Sequence, residues 1–236
     1  MNHLAAVSLL AMTGIMMGAD RPKADTFKSV YAERNVALET DPHSQFWRGA
    51  SPVYAEGDVQ GKPVPGHRTE VRSRWTKDNL YLLYICPYEE LYLKPSRDTV
   101  GETNQLWNWD VAELFIGTDF QNIRRYKEFE MSPQGEWVDL DIDLSLPHHE
   151  DGWKWNSGFQ VSARIDPQAK VWYGAMRIPF AALDGRAPEA GQVFRANLFR
   201  SQGPPERQHS IAWKAPMRET FHTPERFGQL ELVSKK

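Results

Sequence analysis

The run Trp107-Asn108-Trp109-Asp110-Val111-Ala112-Glu113-Leu114-Phe115-Ile116-Gly117 sets aromatic rings beside two carboxylates three residues apart, just ahead of an apolar segment. A flat ring next to fixed carboxylates suits a sugar, which offers one apolar face for stacking and hydroxyls for hydrogen bonding. If Val111, Glu113 and Phe115 share a strand face, Glu113 emerges among apolar neighbours. A lone carboxylate is costly there unless an arginine or a ligand pairs with it, and both readings stand. In Arg195-Ala196-Asn197-Leu198-Phe199-Arg200 the odd positions Arg195, Asn197 and Phe199 share one side of a strand. The Asn197 amide both donates and accepts, as a sugar hydroxyl does; ordinary strand decoration is the alternative. Near the end, Arg218-Glu219-Thr220-Phe221-His222-Thr223-Pro224-Glu225-Arg226-Phe227-Gly228 leads an aromatic-bearing loop into a last strand. Phe221 is either a second stacking platform or a plug for the end of the fold.

A second acidic feature lies in Trp137-Val138-Asp139-Leu140-Asp141-Ile142-Asp143-Leu144. Period two places Val138, Leu140, Ile142 and Leu144 on one face and the three aspartates on the other. The preceding strand repeats the pattern, with Phe129 and Met131 opposed to Glu128 and Glu130. The expectation is one acidic hairpin face: a solvated surface, a calcium site of hard oxygen ligands, or the floor of a polar groove. The histidines of His148-His149-Glu150-Asp151 point apart and have no partner pair at ligand spacing, which argues against zinc. No nucleophile-elbow, zincin, P-loop or dinucleotide signature occurs. Glycoside hydrolysis needs two converging carboxylates, and nothing in the sequence makes any two converge. The only cysteine, Cys86, sits in an apolar run and reads as a packed small hydrophobe in a chain without an internal disulfide.

These residues must be held by strands. Asn79 to Cys86 is apolar on both alternations, as a strand covered on both faces should be. Ala112 to Ile116 follows the opening motif. Tyr126 to Ser132 and Glu136 to Leu144 form a hairpin across Pro133-Gln134-Gly135, and Phe159 to Ile165 with Val171 to Ile178 form another. Val193 to Arg200, Ser210 to Trp213 and Gln229 to Val233 complete the set, while Pro179 to Leu183 makes one helical turn. Many short strands with regular turns predict an all-β fold, an antiparallel β-sandwich or jelly roll, as a single domain over residues 25–234. The segment Gly57 to Gly66 reads as a long surface loop.

The chain has 236 residues, 41% hydrophobic and 25% charged, with a net charge of −3, which describes a globular protein with no broad basic face for nucleic acid. Residues 1–19 read as a secretory signal peptide: uncharged from Leu4 to Ala19, too short for a comfortable membrane span, and ending at Gly18-Ala19. A secreted or periplasmic product with no membrane span in the mature chain follows.

The landmarks Trp107-x-x-Asp110-x-x-Glu113-Leu114-Phe115-Ile116, the hairpin around Phe129 and Gly135, Met176-Arg177-Ile178-Pro179-Phe180, Phe194-Arg195-Ala196-Asn197, Ile211-Ala212-Trp213 and Pro224-Glu225-Arg226-Phe227-Gly228 together resemble the family 9 carbohydrate-binding modules, more closely their stand-alone relatives. The resemblance runs from about Val71 to Val233. It implies a non-catalytic β-sandwich that clamps one or two sugar units between aromatic rings and often holds structural calcium. By position, Trp107 matches the first stacking tryptophan and Glu113 the hydroxyl-binding glutamate. Asn197 falls where the family uses glutamine, and Phe221 where it has its second tryptophan. Glu130 stands in place of the sugar-binding arginine, reversing the charge. The resulting expectation is a binder of mono-, oligo- or polysaccharide, with Trp107 and Phe221 stacking, Glu113, Asn197 and Arg218 hydrogen-bonding, and Glu130 lining the site. Three rivals remain: a haem module using Met131, Met176 or a histidine as axial ligand, a polysaccharide-active enzyme working from the acidic hairpin face, and an interaction domain that kept the fold without the pocket.

Overall fold

The computed structural model describes residues 26–234; the leader read over residues 1–19 lies outside them. The strands, in chain order, are β1 Thr26–Tyr31, β2 Val53–Ala55, β3 Thr69–Trp75, β4 Asn79–Pro87, β5 Val111–Gly117, β6 Arg125–Met131, β7 Trp137–Asp143, β8 Gln160–Asp166, β9 Val171–Pro179, β10 Val193–Gln202, β11 His209–Ala212 and β12 Gly228–Val233. Hydrogen bonding links them in the order β7-β6-β5-β10-β12-β1-β3-β4-β9-β8, with β11 added to β10 and β2 to β3. The two halves of this ribbon fold over each other as a β-sandwich. Ala112, Leu114, Ile116, Leu198 and Leu230 of the first layer meet Leu80, Leu82, Trp172 and Met176 of the second in one buried apolar cluster. The expectation of purely antiparallel pairing needs one correction. Strand β1 is parallel to both neighbours, pairing along Thr26–Val30 with β12 but only at Val30 and Tyr31 with β3. It is the strand that crosses between layers.

Strand β4 is apolar on both alternations because both of its faces are covered. Leu80, Leu82, Tyr84 and Cys86 face the central cluster, while Tyr81 and Leu83 pack with Trp47, Val36, Leu38 and Phe46 outside it. Burial pushes the Cys86 thiol up to about 12, which keeps the nucleophilic thiolate unformed at neutral pH. The sequence pattern does not mark β1, β2 and β3; in β3, Glu70, Arg72 and Arg74 alternate with Val71, Ser73 and Trp75. The segment after Ala55 is less free than a surface loop, since Gly57 bridges to both Pro63 and Ala212.

The β6–β7 register overturns the expected acidic face. Glu130 lies opposite Val138 and Glu128 opposite Leu140, whereas Asp139 lies opposite Phe129 and Asp141 opposite Lys127. Directly opposed residues of an antiparallel pair point the same way, so the glutamates share a face with the aliphatic residues of β7 and the aspartates point to the other side. There Asp139 accepts from the Ser157 hydroxyl (2.5 Å) and Asp141 pairs with Lys127 (2.7 Å).

Candidate functional site

The outer face of the first layer is roofed by loops. Phe115 of β5 is its centre, with the rings of Phe199 (5.0 Å), His222 (5.3 Å), Tyr126 (5.6 Å) and Phe227 (6.1 Å) around it. Trp107 and Phe221, 114 positions apart in the chain, both pack partly buried against this cluster. Trp107 sits in the 3-10 turn Leu106–Asn108, which is entered through Gln105 at φ +63°. The loop carrying Phe221 is entered through Met217 at φ +60°. A non-glycine residue in the left-handed region is uncommon and held by its surroundings, so both ring-bearing loops are set by tertiary contacts.

Beside Phe115 on the same face is a group of three acids. Glu113 of β5 lies opposite Glu130 of β6, and Glu128 lies opposite Phe115. Glu113, Glu128 and Glu130 are only 2%, 4% and 0% exposed, and each offers an oxygen within 4.8 Å of the others. The Ser201 hydroxyl donates weakly to Glu113 (3.4 Å). Neither oxygen of Glu130, nor Oε2 of Glu128, has a hydrogen-bond partner. Among the described residues no lysine or arginine pairs with any of the three, so the arginine alternative for Glu113 is not what the fold uses. Burial, then mutual repulsion, holds Glu113 and Glu130 well above the usual carboxylate range, and burial raises Glu128 to about 7.

The other expected site residues have structural duties. Asn197 lies opposite Phe115 across β5–β10 and is fully buried. Its Nδ2 donates to the Lys214 carbonyl (2.9 Å), while its Oδ1 accepts from the Leu198 and Lys214 amides (2.9 and 3.0 Å). Its amide is therefore engaged in holding the segment that leads to Phe221, leaving little for a ligand. Arg218 is largely exposed and faces Glu225 (3.7 Å). Arg195 reaches the carbonyls of Asp119 (3.0 Å), Ile123 (3.2 Å) and Pro224 (3.5 Å). Its guanidinium passes so close over Gly117 that a Cβ there would strike it. Asp110 is a buried staple whose Oδ1 accepts from the Gly203 amide (2.6 Å), and burial lifts its pKa to about 6.

Two residues enter the site without a signal in the sequence. His222 contacts His149 (ring centroids 4.6 Å) and its Nδ1 is 2.6 Å from the Tyr126 hydroxyl. Burial lowers its pKa to about 4, so it is neutral at pH 7 and the phenol donates to it. Only a contact between distant segments brings these histidines together. Glu128 joins Glu113 and Glu130 because of strand register alone. Of the haem rival's ligands, Met131 and Met176 are both fully buried in the central cluster, and the acidic hairpin face of the enzyme reading divides between two sides of the sheet.

A β-sandwich whose outer face carries aromatic rings from distant loops over buried acids defines a module-like architecture. The sequence model described as carbohydrate family 9 binding domain-like matches residues 43–235, and the chain belongs to that family. An extracellular protein of Arthroderma benhamiae is 26% identical over 186 residues, covering 73% of this chain and 81% of its own. The fold is also that of a family 9 carbohydrate-binding module from Caldicellulosiruptor kristjanssonii. Its complex with cellotriose aligns at TM-score 0.64 and 13% identity over 90% of this chain and 95% of that one. Its complex with glucose aligns at 0.63 and 11% over 89% and 97%. Among the described residues no helix is long and apolar enough to cross a membrane.

Proposed function

We propose that the protein binds carbohydrate without turning it over, as a secreted or periplasmic module, with the sugar held where Trp107 and Phe221 approach the Phe115 cluster. The observation that carries this reading is that those two rings, far apart in the chain, pack against one apolar cluster on the sheet face that also carries Glu113. Trp107 and Phe221 stack, and Glu113, with Glu130 opposite it on the neighbouring strand, supplies the hydrogen-bonding carboxyl on that sheet face. Asn197 acts through the backbone it holds. Family membership and the sugar complexes of the Caldicellulosiruptor module support the ligand class, and the extracellular relative supports export. Stacking at about 1–3 kcal/mol per ring, with a few hydrogen bonds at about 1 kcal/mol each, gives micromolar-to-millimolar affinity.

Calorimetric titration with glucose, cello-oligosaccharides and a glycan panel tests it. Saturable binding with unchanged sugar supports the reading, and released products overturn its non-catalytic part. One observation favours a second reading, an interaction domain on the same fold: Glu113, Glu130 and Asn197 are all buried. A blank glycan panel selects that reading.

A further inference from the structure

Beside β1, the strand that crosses between the layers, lies a cleft of about 1000 Å³. It shares no residue with the Phe115 cluster, the rings of Trp107 and Phe221, or the three buried glutamates. Four cations, Lys28, Arg34, Arg48 and Arg74, line it against two carboxylates, Glu33 and Glu39, in a chain whose net charge is −3. Lys28, Arg34 and Arg48 are exposed, and among the described residues none of the three has an ion-pair partner. Arg74 is only 9% exposed. Its Nε donates to the Val30 carbonyl (3.1 Å), its Nη1 to those of Phe46 (2.6 Å) and Arg48 (3.0 Å), and its Nη2 to that of Tyr31 (2.9 Å). Carbonyls thus satisfy four of its five N–H groups without cancelling its charge. Among the described residues no carboxylate pairs with it, and a buried charge without a counter-charge is costly.

We infer that this cleft is a second binding site, for an anionic and hydroxyl-rich ligand with the chemistry of a uronic-acid oligosaccharide. Carboxylates of the ligand meet the cations, the guanidinium forks of Arg34 and Arg48 matching them two bonds at a time. Hydroxyls between those carboxylates donate to Glu39, which a compact ion negative on every side could not do. Phe46, part-buried in the same wall, offers an apolar patch to a ring face. The volume lies at the upper end of the range for ligand sites, about 300–1,000 Å³, and so admits more than one ring. Arg74 fixes the arrangement from below, because it holds the main chain of Phe46 and Arg48 while adding its own charge. The site stands on these residues alone and does not depend on the sugar held near Trp107.

The test is calorimetric titration with oligogalacturonate, neutral cello-oligosaccharide and inorganic phosphate. Saturable oligogalacturonate binding is expected, weakening roughly tenfold between about 20 and 500 mM NaCl as the exposed cations are screened. Arg34→Gln combined with Arg48→Gln should weaken it at least about tenfold, the worth of one charge-assisted contact. The unfolding midpoint and cello-oligosaccharide binding of that variant should not change, because both side chains are exposed and lie outside the Phe115 cluster. Trp107→Ala should keep oligogalacturonate binding, which separates this site from the sugar site. No heat with oligogalacturonate up to about 10 mM would leave the cations as a solvated rim and overturn the site. Unchanged affinity in the double variant would put the anion elsewhere, and lost affinity in Trp107→Ala would put it at the sugar site; either overturns the inference. Tighter binding of phosphate than of oligogalacturonate would overturn the ligand class.

Discussion

Phe221 lies face to face on Phe199, with ring centroids 4.2 Å apart and planes 8° from parallel. One side of the phenyl ring is thereby tied to strand β10, and the loop that carries it is anchored at Phe199, the residue just before Arg200. A ring supported from behind presents its other face at little entropic cost, which is what a stacking platform requires.

Substitutions of the two rings should therefore differ. Trp107→Ala should reduce sugar affinity at least tenfold, since one stacked ring is worth about 1–3 kcal/mol, while the unfolding midpoint changes little because the indole is only partly buried. Phe221→Ala should lose affinity and also about 1 kcal/mol of stability from the Phe199 pair. Phe221→Trp should bind more tightly through its larger face. Calorimetry on the three variants checks the order, and undiminished binding by Trp107→Ala would reject the assigned site.

Asn197→Ala should act at a distance. It removes three hydrogen bonds to the Leu198 and Lys214 backbone and leaves buried main-chain groups unpaired, at a cost of about 2–3 kcal/mol. Sugar binding should weaken through displacement of the Phe221 loop. Urea unfolding measures the first effect. If hydrogen exchange of residues 213–223 matches the parent protein, the loop-holding role is wrong.

Acidification should destabilise the fold through His222. Its folded pKa is lowered to about 4 by burial, against 6.5 ordinarily. Between those values the unfolded chain binds a proton that the folded chain refuses, so stability is full above about pH 6.5 and falls as pH drops toward 4. The contribution is about 1–3 kcal/mol, discounted for partial exposure. The buried carboxyls of Glu113, Glu128 and Glu130, raised above the usual range, act with the opposite sign over this window, so the check is differential. His222→Asn retains an acceptor for Tyr126 without titrating, and the parent's urea midpoint should fall relative to the variant's as pH drops from 6.5 toward 4.

Gly152→Ala should detach part of the roof. The turn His149–Lys154 lies so close to β7 that a Cβ on Gly152 would overlap the main-chain atoms of Asp141. Backbone cannot yield as a flexible side chain can, so about 1–3 kcal/mol of stability should be lost. Weaker near-ultraviolet circular dichroism from Trp153, which packs on the same cluster, would accompany the change; an unaltered spectrum and midpoint would contradict this packing.

The strands from Asn79 onward were legible because alternation and turn residues are local signals. Leu80 to Cys86, the two hairpins and Val193 to Arg200 all stand within a residue or two of where the pattern puts them. Strands β1 to β3 were not, since Lys28, Arg72 and Arg74 dilute the apolar pattern and pairing partners far along the chain order them. Trp107, Glu113 and Phe221 could be singled out by residue type and motif. That Trp107 and Phe221 pack on one cluster could not, because it depends on how two loops close over one sheet face.

Side-chain type and period two, which belong to the sequence, determined a β-sandwich with an aromatic and acidic stretch ahead of β5. Register and loop docking belong to the tertiary structure. They decided that Glu128 and Glu130 face Leu140 and Val138 rather than the aspartates, that His222 meets His149, and that Asn197 serves the backbone. The reason is that a strand's alternation states only which residues share a side, while a single-residue shift between neighbouring strands reverses which side meets which.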